Sequence, residues 1–391
     1  MELNRGQEIC AKRFLRWWKN PRGKRTFEIS GAAGTGKTFL VRQLIEKIGL
    51  DLKDVMFMAY VGKATLALSK NGLPAKTIHS SICDIRYESM IDEDGNKIRK
   101  EDGTIAVKPV FYRKRYLPDN VKLLVVDEGR MVPEMLAEWI VSYNIPVVVL
   151  GDLNQLDPVF GAPYFLNDPD AILTEIMRQA KESPIPHLAK SILKGAYIKP
   201  GTFGDGQITI LADDFDANFL KPDIVICGKN RTRKILNDYI RRNLLGMNTN
   251  QPLVGDKLIC RKNDWNKVNY EGVPLVNGMI GRIRDINYER LTKNVMRIDF
   301  APEDFEDPFF DVEMDRKTFK IAEDDETYTK PYSLYDIFEY GYVITCHLAQ
   351  GSQYDSVMVK YEYLGGGSRK QQQWLYTAVT RAIKNLTLIL G

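Results

Sequence analysis

The sequence predicts an α/β protein with two parallel-sheet domains, a β-hairpin insertion in the first domain and a small β-barrel insertion in the second. The chain has 391 residues, more than one hydrophobic core usually holds. Short apolar runs alternate with helical periodicity in both halves, as in parallel sheets covered by helices on both faces. Two stretches, 84–118 and 254–340, interrupt that alternation. We therefore expect a first domain at 1–180, a second at 181–253 and 341–391, and the β-barrel at 254–340.

The first half is predicted to contain a helix, a strand–loop–helix unit and three further buried strands. Apolar residues at helical spacing predict the first helix in GQEICAKRFLRWW (6–18). A short strand, TFEIS, and a helix, TFLVRQLIEKI, follow it across a glycine-rich loop. Continuous apolar runs predict the remaining strands in VMFMAYV (55–61), KLLVVDE (122–128) and PVVVLGD (146–152).

Turn signals predict the two insertions. DEDGNK (92–97) and KEDGTI (100–105) separate short polar segments of alternating pattern, which indicates an inserted hairpin. Short β-rich pieces joined by Asn-Gly and Gly turns indicate the small barrel, in GDKLICRKND (255–264), PLVNGMIGRIRDI (274–286) and NVMRIDF (294–300).

Charge is distributed unevenly, although the formal net charge is only +4. Acidic residues dominate from Asp299 to Glu326, and the basic run VFYRKRY (110–116) interleaves with aromatic residues. This distribution suits a groove for a polyanion and equally suits solvated surfaces. A further basic cluster occupies the N-terminus, at Arg5, Lys12, Arg13, Arg16, Lys19, Arg22, Lys24 and Arg25.

Cysteine usage and hydropathy exclude several protein classes. The five cysteines form no CxxC pair, so we expect neither a disulfide framework nor a zinc knuckle, and a reducing cytoplasm suits them. The longest apolar runs, IPVVVL and LLVV, fall well below the roughly 20 residues of a membrane helix. No signal-peptide pattern is seen at the N-terminus. We expect a soluble, intracellular protein without a membrane partner.

The segment ISGAAGTGKTFL (30–41) has the spacing GxxxxGK[ST] between a predicted strand and a predicted helix. Backbone amides of such a loop cradle phosphates, its lysine reaches the outer phosphates, and its hydroxyl binds magnesium. A nucleoside triphosphate is therefore the favoured ligand. The predicted phosphate-binding residues are Gly34, Thr35, Gly36, Lys37 and Thr38.

Two further strands end in polar residues that suit the same chemistry. LLVVDEGRMV places Asp127 and Glu128 at the end of an apolar strand, where charge is costly unless it has a function. Asp127 fits a magnesium ligand, and Glu128 is placed to orient or deprotonate the attacking water. VVVLGDLNQLDPV then presents Gln155, whose amide can sense a terminal phosphate. Each segment read alone also fits an ordinary strand end.

The order of these signals along the chain resembles superfamily 1 helicases, most closely the RecD-like and phage Dda-like branch. The resemblance spans Leu3 to the C-terminus and implies two RecA-like domains, with the inserted β-barrel expected to be SH3-like. It also implies ATP and Mg²⁺ as cofactors and movement along a nucleic-acid strand. The motifs that carry it are the phosphate loop, VVDE, GDLNQLDPV, LTEIMRQA, ITCHLAQGSQYDSV and LYTAVTRA.

The resemblance implies further residues of the nucleotide site. Gln7 in LNRGQ is similar to an adenine-reading residue, although a glutamine on a helix is often solvated. Arg178 in LTEIMRQA and Arg381 in YTAVTRA are similar to arginines that reach the γ-phosphate. Permanent charge and forked donors suit arginine to that role, whereas a surface ion pair is the alternative for each. Because Arg381 lies in the predicted second domain and the phosphate loop in the first, we expect the site to be completed when the two domains close.

The resemblance also implies contacts with single-stranded DNA. Lys63 in YVGKATLAL, Thr77 and His79 in AKTIHSSI, and Thr345 and His347 in ITCHLAQGSQYDSV match positions that contact the strand. Hydroxyls, amides and helix N-termini are suitable partners for backbone phosphates. Both histidines equally suit an ordinary, partly buried role.

Other segments bear on how the strand is handled. Gln350 and Gly351 are implied to lie between DNA and nucleotide. The aromatic run Phe111–Tyr116 is a candidate to stack bases or wedge a duplex fork, or simply to pack on its own domain.

Two segments depart from the family pattern. DEGRM has Gly129 and Arg130 where Ser or Ala is common, and HLAQGS has Leu348 and Ala349 where a polar residue is common.

We therefore expect an ATP-dependent DNA helicase that works on single-stranded and fork DNA, with 5′ to 3′ polarity implied by the resemblance alone. A clamping or remodelling ATPase and an RNA helicase of the same superfamily remain alternatives. A P-loop kinase is disfavoured because it has no need for a second domain carrying Arg381. We expect a functional monomer, with replication or single-strand-binding proteins as candidate partners, in a bacterial cytoplasm or a phage-infected host cell.

Overall fold

The computed structural model describes residues 2–20, 24–92, 94–99, 105, 107–158, 161–176, 183–214, 217–319 and 335–391. The chain forms two compact units. The first unit comprises Met1–Ile82, Arg115–Lys229 and Ile344–Gly391. The second comprises Cys83–Lys114 and Asn230–Val343.

Helices are distributed along the whole chain. Their bounds are α1 (Arg5–Lys19), α2 (Lys37–Lys47), α3 (Gly62–Lys70), α4 (Ile78–Ile82), α5 (Glu134–Val141), α6 (Ile185–Leu193), α7 (Asn230–Tyr239), α8 (Cys346–Ala349) and α9 (Gly367–Val379).

Strands alternate with these helices in the first unit and dominate the second. Their bounds are β1 (Thr26–Gly31), β2 (Val55–Ala59), β3 (Ala75–Thr77), β4 (Cys83–Ser89), β5 (Val107–Arg113), β6 (Leu123–Asp127), β7 (Val147–Gly151), β8 (Ala171–Leu173), β9 (Gly201–Phe203), β10 (Ile208–Leu211), β11 (Ile224–Cys227), β12 (Lys257–Cys260), β13 (Asp264–Val268), β14 (Pro274–Leu275), β15 (Ile280–Asn287), β16 (Val295–Pro302), β17 (Phe309–Asp315), β18 (Phe338–Tyr340), β19 (Val343–Thr345), β20 (Tyr354–Lys360) and β21 (Ala382–Ile389).

The first sheet of the first unit is parallel throughout, in the order β3-β2-β6-β7-β1-β8. Its central strands are buried along their length, which explains their continuous apolar runs. Because β1, β6 and β7 are neighbours running the same way, their carboxyl ends meet at one edge of the sheet. That edge carries the glycine-rich loop, the acidic pair and the segment after Gly151.

Helix α1 packs on this sheet through an apolar face. Phe14 is fully buried against Phe27 of β1, with ring centroids 5.5 Å apart in an edge-on arrangement. The helix begins with a capping box, in which Asn4 accepts from the backbone of Gln7 and Gln7 accepts from the backbone of Asn4. This cap places Gln7 at the start of the helix and toward the phosphate loop.

The second sheet of the same unit has the order β19-β11-β20-β21-β10-β9. The pairs β11–β20, β20–β21 and β10–β21 are parallel, whereas β9 pairs with β10 in the antiparallel sense. Helix α9 connects β20 to β21 and is buried along most of its length. It ends at Val379, two residues before Arg381.

The second unit is mainly antiparallel. Strands β4 and β5 form a two-stranded hairpin, with Ile85 opposite Phe111. The five-stranded sheet has the order β17-β16-β15-β12-β18. A bridge between Met314 and Asp336, with two backbone hydrogen bonds of 2.8 and 2.9 Å, joins its first strand to the segment before its last. This bridge brings the segment before β18 beside β17 at one point.

The predicted fold class is confirmed: two α/β sheets of largely parallel strands, an inserted hairpin and an inserted antiparallel sheet are present. The periodicity of short apolar runs was a sufficient signal because both faces of these strands are covered. The exact domain bounds and the SH3-like character of the insertion stay predictions. No helix within the described ranges has the length and hydropathy needed to cross a bilayer.

Candidate active site

The phosphate loop joins the buried strand β1 to the N-terminus of α2. Gly36 is the residue before that helix and has a φ of 76°, a left-handed conformation that glycine adopts without steric cost. The ammonium group of Lys37 donates to the carbonyl oxygens of Gly31 at 2.6 Å and Ala32 at 3.2 Å. The loop thus holds its lysine over the positively polarised start of α2, an arrangement suited to phosphate.

The acidic pair lies at the carboxyl end of β6. Glu128 has φ 51° and ψ 42°, a left-handed backbone that costs a non-glycine residue on the order of 1–3 kcal/mol. Its amide donates to a carboxylate oxygen of Asp127 at 2.9 Å. Adjacent side chains of an extended strand point to opposite faces of the sheet. The left-handed backbone at Glu128 interrupts that alternation, and both carboxylates line the same cleft.

Burial raises the pKa of both carboxyl groups. The negative charge of Asp127 raises the pKa of Glu128 further, while the positive charges of Arg381 and Lys37 oppose this rise. Lys37 also opposes the rise for Asp127. Cations from both sheets of the unit therefore act on one pair of carboxylates.

Gly129 follows the acidic pair because no larger residue fits there. A Cβ atom at this position would overlap the side chain of Val149 in β7. The departure from the family pattern at Gly129 is thus explained by the close approach of β7 to the backbone that carries Glu128.

Gln155 lies in the segment that follows β7 and faces the same cleft. Its side chain is buried, and its Oε1 atom has no hydrogen-bond partner among the described residues. A buried acceptor without a partner is uncommon in proteins, so a water molecule or a ligand is its expected partner.

The segment around Gln155 is docked on elements of the second sheet. The hydroxyl of Tyr376 donates to Asp152 at 2.6 Å, and the amide of Leu156 donates to the Thr377 hydroxyl at 3.0 Å. The side-chain amide of Gln350 donates to the Leu156 carbonyl oxygen at 3.3 Å. Sequence reasoning missed these contacts, since nothing in the local pattern pairs residues so far apart in the chain.

Arg381 is buried after the end of α9. Its guanidinium donates to the carbonyl oxygens of Thr377 at 3.0 Å and Ser352 at 3.2 Å, and to the Thr380 hydroxyl at 3.2 Å. Both carbonyl acceptors are uncharged, so its positive charge is not neutralised by these contacts.

These groups line one cleft in the first unit, with a volume of about 400 Å³. It contains the phosphate loop and the start of α2, the acidic pair of β6, one face of α3, Gln155, the stretch 351–353, and Arg381. Among its lining residues are Gly34, Gly36, Lys37, Thr38, Asp127, Glu128, Gln155, Gly351 and Arg381. The structure thus brings together most of the predicted nucleotide-site residues.

A second cavity of about 330 Å³ lies beside this cleft and shares Ala33, Gly34 and Gln353 as walls. Its lining is mainly apolar, with Ile172, Ile185 and other side chains from β8 and α6. It continues the cleft on the other side of the phosphate loop.

The predicted magnesium ligands fit that ion by their donor chemistry. Thr38 supplies a hydroxyl and Asp127 a carboxylate, both to the same cleft. Magnesium bound with a nucleotide needs only one or two protein oxygens besides phosphates and water. Within the described ranges no cluster of three or more His, Cys, Asp or Glu side chains suits a metal.

One predicted residue, Gln7, does not line the cleft, and another falls outside the described residues. Gln7 is fully buried behind the phosphate loop, where its Nε2 atom donates to the Thr35 carbonyl oxygen at 3.2 Å. Thr35 in turn donates its hydroxyl to Ala32 at 2.8 Å. This hydrogen bond of Gln7 therefore stabilises the phosphate loop, and a contact of Gln7 with adenine stays a prediction. Arg178 lies outside the described residues.

The predicted strand-contact residues of the first sheet differ in exposure. Lys63, near the start of α3, places its ammonium 4.7 Å from the ring centroid of Tyr354. His79 is partly exposed and packs near Tyr60. Thr77 is buried, and its hydroxyl bonds Ser80. A DNA contact through the Thr77 side chain would require that hydroxyl to be freed first.

The predicted contact residues of the second sheet show the same contrast. Thr345 is buried at the start of α8, whereas His347 is partly exposed. Burial lowers the pKa of both His347 and His79 below the usual histidine value. The lowered pKa favours the neutral imidazole, which can donate one N–H hydrogen bond to a phosphate.

Two models of known protein families match the chain, one over the region that contains the phosphate loop and one over the region that contains Arg381. A model described as an AAA domain matches residues 2–199, slightly more than half of the chain, and one described as a UvrD-like helicase C-terminal domain matches residues 340–389. No curated protein sequence gives a significant match.

Solved structures of Pif1 helicases share the fold over nearly the whole chain. Two coordinating Pif1 helicases studied on forked duplex DNA give 17% identity, 99% coverage of this chain and 92% of that chain, with a TM-score of 0.57. Bacteroides Pif1 bound to single-stranded DNA gives 17% identity, 99% and 92% coverage, and a TM-score of 0.56. Pif1 helicase from Candida albicans gives 16% identity, 100% and 94% coverage, and a TM-score of 0.55. At this identity the likeness is one of fold.

Proposed function

We propose that this chain, which belongs to the AAA domain family and is a superfamily 1 helicase, hydrolyses ATP to move along single-stranded DNA and separate the duplex ahead of it. The observation that carries the proposal is the cleft of the first unit. It collects Lys37, Asp127, Glu128 and Gln155 from the first sheet and Arg381 from the second.

The triphosphate binds in this cleft, with its base and ribose in the adjoining apolar cavity. Lys37 and the amides of the phosphate loop hold the β- and γ-phosphates. Thr38 and Asp127 would hold Mg²⁺, which would neutralise part of the charge of the phosphates. The lining of both cavities by the same phosphate-loop residues supports this arrangement.

Hydrolysis proceeds by attack of water on the γ-phosphorus. Glu128 accepts the proton of that water as the bond to the γ-phosphorus forms and the bond to the β-phosphate oxygen breaks, giving ADP and phosphate. Gln155 orients the attacking water, which donates a hydrogen bond to its Oε1 atom; this atom has no other partner among the described residues. Arg381 stabilises the charge that develops on the transferred group.

Arg381 is held by two uncharged carbonyl oxygens, so it exchanges these bonds for phosphate when nucleotide is present. The segment around Gln155 is bonded to Tyr376 and Thr377 of α9. A change at the γ-phosphate therefore reaches the helix that precedes Arg381. This linkage is the proposed route from hydrolysis to relative movement of the two sheets.

DNA binds along the segments that carry Lys63, His79 and His347, with Thr77 and Thr345 at the starts of α4 and α8. The partial exposure of the first three supports this assignment. The hairpin of β4 and β5 exposes Ile85, Tyr87 and Phe111, and it is the candidate wedge at a duplex fork. The fold shared with Pif1 helicases studied on single-stranded and forked DNA supports these substrates.

The 5′ to 3′ direction follows the family resemblance. The alternative is a clamping or remodelling ATPase that does not open duplex. It is disfavoured because such a protein is expected to lack Arg381 or the segment ITCHLAQGSQYDSV (344–357), and both are present. We also propose that the chain acts as a monomer in a bacterial or phage-infected cytoplasm, with replication or single-strand-binding proteins as partners.

Strand separation on three substrates tests the function. The duplexes carry a 5′ DNA tail, a 3′ DNA tail or a 5′ RNA tail, and ATP hydrolysis is followed in parallel. We expect unwinding with the 5′ DNA tail and stimulation of hydrolysis by single-stranded DNA. Hydrolysis that is indifferent to DNA would refute the motor, stimulated hydrolysis without unwinding would favour the clamping ATPase, and selective use of the RNA tail would favour an RNA helicase.

A further inference from the structure

Arg130 is a buried arginine beside the site, and its ion pair with a partly exposed aspartate is not used by the hydrolysis mechanism. Its Nε and Nη2 atoms donate to one carboxylate oxygen of Asp157, at 2.9 and 2.7 Å. The Arg130 side chain is 10% exposed and that of Asp157 is 39% exposed. An ion pair of this kind is stronger than an exposed one because solvent screens it less.

The same guanidinium also binds a third segment. Its Nη1 atom donates to the Leu166 carbonyl oxygen at 3.2 Å and to the Asn167 side-chain oxygen at 3.4 Å. Leu166 is itself fixed, since its amide donates to the buried Glu28 of β1 at 2.7 Å. Arg130 therefore joins the backbone that carries Glu128, the segment that carries Gln155, and a segment tied to β1.

The backbone from which Arg130 extends has little freedom. Gly129 lies against Val149, and a Cβ atom at Gly151 would stand 2.5 Å from the Leu166 side chain. The forked donors thus project from a fixed point. A lysine in the same place would keep the charge but could not bond Asp157 and Leu166 together.

The segment that carries Gln155 is bonded to both sheets of the unit. Asp152 and Leu156 are bonded to Tyr376 and Thr377 of α9. Before Gln155, the Leu153 amide donates to the Ser30 hydroxyl of β1 at 3.0 Å, and after it Asp157 is bonded to Arg130. The contact with Arg130 therefore ties the stretch after Gln155 to the backbone that carries the acidic pair.

We propose that Arg130 and Asp157 form a clamp that fixes the position of Gln155 relative to Glu128, which makes Arg130 a positioning residue for ATP hydrolysis. This inference rests on the proposed function. Because neither side chain lines the phosphate cleft, the clamp affects the hydrolytic step and leaves nucleotide binding unchanged. A displacement of about 1 Å at a reacting centre can cost up to about 100-fold in rate, so a looser Gln155 is expected to be costly.

The test measures kcat and KM for ATP at saturating single-stranded DNA, with the melting temperature of each variant. Arg130→Gln is expected to lower kcat about tenfold, with KM for ATP changed by no more than about twofold. The kcat of Arg130→Lys should lie between those of Arg130→Gln and the unchanged protein. Asp157→Ala should lower kcat in the same way. The double variant should be no slower than Arg130→Gln, because both changes remove one contact.

Lys257→Gln is the matched control. Lys257 pairs with Glu303 at 2.9 Å in the second unit, and the two side chains are 7% and 36% exposed, close to the values for the clamp. It should lower the melting temperature by a similar amount and leave kcat unchanged. If Arg130→Gln behaves like this control, the inference is overturned and the pair serves stability only.

Two further outcomes are decisive. If Arg130→Gln does not fold, Asp157→Ala decides: a lowered kcat supports the clamp, and an unchanged kcat overturns it. Multiplicative losses in the double variant would also overturn it, because independent effects share no contact. Absence of DNA-stimulated hydrolysis in the unchanged protein would instead refute the proposed function, so the two failures are distinguishable.

Discussion

The phosphate cleft and the strand-contact segments lie in the same compact unit, yet they are built differently. The cleft collects groups whose chemistry leaves little choice, such as Lys37 after a glycine-rich loop and Glu128 on a left-handed backbone. The strand-contact segments use ordinary side chains, of which some are partly exposed and others, such as Thr77, are buried and bonded internally. Catalysis therefore fixes residue types, whereas contact with a polymer backbone allows many solutions.

The largest expected effect lies in the cleft. Lys37→Ala should abolish ATP hydrolysis, and Glu128→Gln should lower kcat at least 100-fold while ATP affinity is kept. Hydrolysis rates and nucleotide titrations with a fluorescent ATP analogue measure both effects. DNA affinity serves as the control, because parallel loss of DNA binding would indicate misfolding. Retained turnover in Glu128→Gln would assign the base to another group.

The second expected effect tests the contribution of the second sheet. Arg381→Lys keeps the charge but loses the fork, and kcat should fall about 100-fold or more with little change in KM for ATP. Steady-state hydrolysis at saturating DNA is the measurement. A raised KM for ATP with an unaltered kcat would place Arg381 in nucleotide binding alone.

The third expected effect separates movement from duplex opening. Phe111→Ala removes an exposed ring of the hairpin, so unwinding of a 5′-tailed duplex should slow several-fold while DNA-stimulated hydrolysis is unchanged. Tyr197→Ala, at an exposed tyrosine of the first unit, is the control and should change neither rate. Equal unwinding by the two variants would dismiss the wedge.

The smallest effects are expected from substitutions of two strand-contact residues, of which one is partly exposed and the other is buried. Lys63→Ala should weaken DNA binding about equally for all sequences and reduce the salt dependence by about one phosphate contact. Thr77→Ala should chiefly lower stability, by about 1 kcal/mol, because its hydroxyl caps α4 through Ser80. Binding titrations at several salt concentrations and thermal melts measure the two. Loss of DNA affinity in Thr77→Ala at unchanged stability would assign its hydroxyl to the strand.

The same contrast explains how much the sequence could predict. The strands were predictable because burial on both faces demands continuous apolar runs. Lys37, Asp127 and Glu128 were predictable because phosphate chemistry demands particular residue types at fixed spacing after such strands. The contact between Asp152 and Tyr376 joins residues 224 positions apart, so no local pattern indicates it. Arg130 was visible only as a departure from the family pattern, and its partners depend on the packing of Gly129 and Leu166.

Gln7 illustrates a second limit. Its position on the first helix was predictable, but helical spacing does not distinguish a side chain directed at a ligand from one directed at the protein. The structure directs its amide at the Thr35 carbonyl oxygen and its oxygen at the Asn4 amide. Only the packing of α1 against the phosphate loop decides between these orientations.

The central claim is that one nucleotide is held between Lys37 and Arg381. A structure of the chain with ADP, aluminium fluoride, magnesium and single-stranded DNA tests it most directly, because aluminium fluoride mimics the transferred phosphoryl group. The account predicts the Arg381 guanidinium about 3 Å from a fluoride, with its bonds to Thr377 and Ser352 exchanged for it. A guanidinium that keeps those bonds and makes no contact with the phosphate mimic would contradict the account.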